Sequence, residues 1–117
     1  MRMDSFGDAR LPAHLEVSGL IRAVETAGGF ATVNAKGERD GGTLMVVCCE
    51  RGQQARAYER MPRLDGTRGW ALSRRQNEDD PAEFWDYCQR RARQDSDLWV
   101  IELDIANAER FIGLTPS

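Results

Sequence analysis

The sequence predicts an α+β fold with a mainly antiparallel sheet of about five strands. Its order is a four-strand meander, then a helix, then a buried strand, with an N-terminal helix and a short C-terminal helix. Three observations predict it. The run Leu98-Trp99-Val100-Ile101-Glu102-Leu103-Asp104-Ile105 holds five aliphatic residues and a tryptophan, so a strand there is apolar on both faces and covered on both. Four shorter strand-like stretches lie between Phe30 and Arg74, separated by glycine-rich or charged turns. Two segments with helical spacing flank the meander, one before it and one before the final strand.

A chain of 117 residues is one domain by length, and it can bury a core without disulfide or metal staples. The expected division is a loose N-terminal arm over residues 1–11 and a single globular domain over 12–117. Hydrophobic residues make up 41% and charged residues 30%, the mix of an ordinary soluble protein. The net charge of -3 repels nucleic acid and argues against non-specific DNA or RNA binding. No stretch approaches the ~20 apolar residues of a membrane span, and the first residues lack the apolar run of a signal peptide. Three cysteines cannot form a complete disulfide framework. The expected compartment is therefore a reducing cytoplasm.

Taken in order, Pro12 opens the first helix, and Val17, Leu20, Ile21 and Val24 form its apolar stripe. Gly28-Gly29 ends it. His14, the only histidine, falls at the margin of that stripe and reads as an edge residue. Phe30 to Lys36 alternates as a strand does. The link Gly37 to Gly42 reads as a hairpin loop to Thr43–Cys49, which is apolar throughout and therefore central. Ala55–Met61 is half polar, Pro62 ends it, and after the turn at Asp65-Gly66 the fourth strand is Trp70–Arg74. Asp80-Pro81-Ala82-Glu83 then has the grammar of a helix start, with an N-cap acid, a first-turn proline and a third-position acid. The helix runs from Pro81 to about Gln94, burying Phe84 and Cys88, with Arg90, Arg91 and Arg93 at its negative end. Asp104 is the expected cap of a last short helix, Ala106 to Ile112. The sheet is expected to carry helices on one face, and on the other the terminal helix or a second copy of the chain.

No catalytic residue, metal site or cofactor is expected. Cys48 and Cys49 are adjacent in a strand and point to opposite faces, while Cys88 lies on a buried helix face, so all three read as small hydrophobes. The glycines between Gly37 and Gly42 join two strands instead of entering a helix, and Glu38 and Asp40 oppose an anion there. Glu102 stands out as an acid among Leu98 and Val100, and Arg91 as a cation inside an apolar helical arc. A buried charge without a partner costs several kcal/mol, roughly, so Glu102 is expected to pair with Arg91, or with Arg56 or Arg60 of the third strand. Arg56, Tyr58 and Arg60, with Arg74 and Arg75, suggest an arginine-aromatic surface. It reads as a solvated face, a protein interface or, least of all given the acidic balance, a nucleic-acid surface.

Taken together, Leu20-Ile21-Arg22, Ala27-Gly28-Gly29-Phe30-Ala31, Lys36-Gly37, Gly42-Thr43-Leu44, Tyr58-Glu59-Arg60 and above all Asp95-Ser96-Asp97-Leu98-Trp99-Val100-Ile101-Glu102-Leu103 resemble a family of small uncharacterised alphaproteobacterial proteins known as a domain of unknown function. The resemblance covers nearly the whole chain. It implies a bacterial cytoplasmic protein and brings no activity, cofactor or catalytic residue. The leading functional expectation is a non-enzymatic accessory or protein-interaction module, with a protein partner or homodimer through an apolar sheet face or edge. Its mark would be an exposed cluster of Trp70, Trp85 or Trp99. The second expectation is a small-molecule-binding or enzymatic domain built on a Glu102–arginine pair with Tyr58 or Tyr87.

Overall fold

The computed structural model describes residues Leu11 to Leu114. Most of the arm expected over residues 1–11 lies outside them. The elements run α1 (Ala13–Thr26), β1 (Phe30–Ala35), β2 (Thr43–Glu50), β3 (Gln53–Pro62), β4 (Arg68–Arg75), α2 (Pro81–Gln94), β5 (Leu98–Asp104) and a 3-10 turn (Ala108–Ile112). The strands form one sheet in the order β1-β5-β2-β3-β4. This is an α+β fold, but the sheet is mixed. β5 inserts between β1 and β2, antiparallel to the first and parallel to the second. The expected meander survives only as β2-β3-β4.

The inserted strand corrects the reading of the Gly37–Gly42 link, which is a bridge over the start of β5 and not a hairpin. The Glu38 N–H donates to the Asp97 carbonyl, and the Trp99 indole N–H donates to the Glu38 carbonyl at 2.7 Å. A Cβ on Gly37 or Gly42 would collide with the Asp97 carbonyl. Glycine here serves close backbone approach. Strand order depends on such tertiary contacts, which local turn chemistry does not reveal.

Apolar residues on both faces of β2 and β5 require two covers, and helices supply both. On one face Val17 and Val24 of α1 and Ala108 of the 3-10 turn pack on Leu44, Val46, Cys48, Trp99, Ile101 and Leu103. On the other, Phe84 and Cys88 of α2 pack on Met45, Val47, Cys49, Ala57, Leu98 and Val100. Burying each large aliphatic contributes on the order of 2 kcal/mol. Trp99 is buried, and Trp70 and Trp85 are half-buried. Among the described residues, α1 and the 3-10 turn cover one face of the central strands and α2 covers the other.

Two local expectations need correction. Asp80 precedes α2 without a side-chain capping bond, and Glu83 accepts from Arg74 at 2.5 Å instead of closing a capping box. Asp104 does not cap the last turn, which is preceded by Asn107 in the left-handed region. It accepts the Arg51 and Gly52 N–H groups at 2.7 and 3.0 Å, so it braces the β2–β3 connection.

Candidate functional site: an arginine–glutamate–tyrosine cleft

Alternation along β3 sends Arg56, Tyr58 and Arg60 to the α1 side and Ala55, Ala57 and Glu59 to the α2 side. Buried Ala108 anchors the 3-10 turn on the first of these faces and carries Glu109 over Arg56. The Arg56 Nε and Nη2 donate to separate Glu109 oxygens, both at 2.7 Å, and Nη1 donates to the Gln54 carbonyl. Tyr58 donates to the same Glu109 carboxylate at 2.8 Å. Forked pairing of this kind is the strongest form of the arginine–carboxylate bond.

The neighbouring guanidinium holds the Glu109 carboxyl down at about 2, against an ordinary 4.5. Burial, then the hydrogen bond to Glu109, pushes the Tyr58 phenol up to about 12. At neutral pH the carboxylate stays ionised and the phenol stays protonated. The group therefore presents fixed donors and acceptors instead of a mobile proton.

These residues line an open cavity of about 770 Å³ together with Leu72, Arg75 and Gln76. Arg75 of β4 lies directly opposite Arg56 of β3 in the ladder. Glu109 neutralises Arg56, whereas Arg75 has no ion pair among the described residues. Like charges directly opposite each other destabilise a strand pair, and Arg75 has no carboxylate bound to it among the described residues, although Glu50 and Glu78 also border the cleft.

The structure separates the other predicted residues. Glu102 does lie on the Leu98–Val100 face, but it meets no arginine among the described residues. It accepts from Asn34 Nδ2 at 3.1 Å and from the Cys49 thiol at 3.6 Å. Arg56 and Arg60 project from the opposite face of the sheet and cannot reach it. Arg91 is on the correct side, but it sits over β3 and binds Glu59 at 2.8 Å, with Tyr87 donating to the same acid at 2.9 Å. The hydrogen bond from Arg91 lowers the Glu59 carboxyl. Arg60 pairs with Glu16 of α1 beneath the Trp70 ring, 4.3 Å from its centroid.

The expected arginine-aromatic surface is thus divided. Arg74 points to the α2 side, where it pairs with Glu83 and stacks on Tyr87, while Arg75 lines the cleft. An irregularity in the β3–β4 register between Ala57 and Tyr58 shifts the alternation there. The partner acids Glu109, Glu59 and Glu16 were not singled out from sequence. The usable signal is that each part-buried arginine needs a carboxylate on its own face.

The donor atoms of Cys49, Glu102 and Asp104 lie within 4.8 Å of one another, and of the described residues these could hold a cation. Each is already engaged, however. Burial, followed by the Asp104 and Glu102 charges, pushes the Cys49 thiol up to about 12, so a metal would have to displace that proton. His14 sits at the α1 rim, its Nδ1 3.1 Å from the Arg39 carbonyl oxygen.

Residues 11–113 match the DUF1491 family, described as a protein of unknown function. The chain belongs to this family. A crystal structure of a DUF1491 family protein from Caulobacter crescentus CB15 is similar at 33% identity and a TM-score of 0.76, covering 91% of this chain and 98% of that one. An NMR structure of a DUF1491 family protein from the same organism has 32% identity and a TM-score of 0.73, over 90% and 94% of the two chains. The solution structure of protein Atu0922 from A. tumefaciens has 28% identity and a TM-score of 0.70, over 93% and 98%. No curated protein matches the chain. DUF1491 membership agrees with the resemblance carried by the Asp95–Leu103 run. Among the described residues no helix is long and apolar enough to cross a membrane.

Proposed function

We propose that this DUF1491 protein is a non-enzymatic interaction module of the bacterial cytoplasm that takes an acidic polypeptide segment along β4. The observation that carries the reading is Arg75, set opposite Arg56 at the end of an edge strand and lacking the carboxylate that Arg56 has. An edge strand offers unpaired backbone groups to an extended peptide, and side-chain pockets then choose among peptides. Here an acidic side chain would give Arg75 the bound carboxylate that it lacks. Glu50 and Glu78 border the same cleft but ion-pair with neither arginine. Three free, buried thiols suit a reducing compartment.

The test is fluorescence titration with acidic, neutral and basic peptides at two salt concentrations. Acidic peptides should bind, weaken with salt, and lose about tenfold in affinity with Arg75→Ala, a loss of roughly 1.4 kcal/mol. Equal binding of all three peptides would sink the proposal. The cavity volume of about 770 Å³ also suits a small ligand, which gives a second reading. In that case a small dicarboxylate would shift the NMR signals of Arg56, Tyr58 and Arg75, with no preference among peptides.

A further inference from the structure

The two edges of the sheet differ in kind. β4 carries Arg68, Arg74 and Arg75, and charges of this sort keep an edge from pairing with its own copy. β1 (Phe30-Ala31-Thr32-Val33-Asn34-Ala35) carries no charge and no proline. It also exposes Phe30 at 74% and Val33 at 38%. Beside it, between β1 and α2, lies a hollow of about 420 Å³ walled by Ala35, Trp85, Cys88, Ala92 and Val100, and also by the polar Asn34, Gln89 and Arg93. A protruding aromatic and a mainly apolar hollow thus sit at the two ends of one short strand.

We propose that β1 pairs antiparallel with β1 of a second copy across a two-fold axis, seating each Phe30 in the partner's hollow. The register follows from the pattern of faces. Phe30 and Thr32 oppose Asp104 and Glu102 on the α2 side, while Ala31 and Val33 oppose Leu103 and Ile101 on the other. Asn34 is an extra residue, so Ala35, opposite Val100, returns to the α2 side. Residues directly opposite each other in an antiparallel pair share a face. With the axis at Thr32, Ala31 faces the partner's Val33 and Phe30 faces the partner's Ala35. The bulge therefore aligns the ring with the hollow, and the contact is self-complementary, as a two-fold interface must be.

Sedimentation of the full chain from about 1 μM to about 1 mM tests this. The mass should rise with concentration toward twice 13.2 kDa. Phe30→Glu and, separately, Val33→Lys should hold it at the single-chain value, with circular dichroism unchanged. A Thr32→Cys variant should form a disulfide-linked dimer under mild oxidation, because opposed strand positions lie within disulfide reach and the three native thiols are buried. A single-chain mass throughout, or a dimer that survives both edge variants, overturns the proposal. A dimer lost with Phe30→Glu but never cross-linked through the Thr32→Cys variant overturns the register.

Discussion

Arg56 and Glu109 meet across two elements in a forked pair, each nitrogen 2.7 Å from its own carboxylate oxygen, with both side chains only 17% exposed. Breaking such a pair leaves one charge poorly solvated, so Arg56→Ala and Glu109→Gln should each cost about 2–3 kcal/mol in urea unfolding. Arg56→Met combined with Glu109→Leu should cost less than either single change, because neither variant side chain is charged. In a cycle of Arg56→Met, Glu109→Leu and the double variant, strictly additive losses would show that the two residues act independently.

The same pair sets an acid limit. In the folded chain Glu109 has its carboxyl at about 2, against 4.5 when unperturbed, and Glu59 is shifted in the same direction by Arg91. The unfolded chain therefore binds protons more tightly than the folded one below the ordinary carboxylate range. The contribution of Glu109 is complete above 4.5 and declines as pH falls toward 2. Urea midpoints at about pH 6, 4 and 3 should drop steeply for the natural chain and less steeply for Glu109→Gln. Identical slopes would remove Glu109 from the acid response.

Cys48, Cys49 and Cys88 should behave as apolar side chains. Burial is the first cause raising each thiol to about 12, and only the thiolate attacks a disulfide reagent. At about pH 8, labelling should therefore follow the urea unfolding curve, with all three thiols reacting together. Rapid labelling of one thiol in the native chain would contradict this.

Local patterns identified elements well and relationships poorly. α2 begins at Pro81 and ends at Gln94 as its proline and charge gradient predict, and β5 is buried as its apolar run requires. Arg91 lies inside an apolar arc and forms a part-buried ion pair, but not with the expected Glu102. Its partner, Glu59, is set by which strand α2 crosses, and a one-dimensional pattern does not hold that information. The expected pairing of Glu102 with Arg91, Arg56 or Arg60 fails because sequence does not say which strand α2 crosses or which face of β3 turns toward α1. The candidate cleft was legible only as Arg56, Tyr58 and Arg75, because Glu109 reaches them from a turn positioned entirely by tertiary packing.

The loop that bridges β5 gives the sharpest test of the sheet order. Were residues 37–42 a simple hairpin, alanine at Gly37 or Gly41 would have similar small effects. With β5 running beneath, a Cβ on Gly37 strikes the backbone of Asp97 and Leu98, whereas one on Gly41 meets only the Glu38 carboxylate at 3.5 Å. Backbone cannot yield as a side chain does. Gly37→Ala should therefore cost about 2 kcal/mol or more, and Gly41→Ala should stay within about 0.5 kcal/mol. Because Trp99 donates to Glu38 in this loop, Gly37→Ala should also alter tryptophan fluorescence before unfolding begins. Equal tolerance at the two glycines would mean that β5 does not pass under the loop, and the parallel β2–β5 pairing would fall with it.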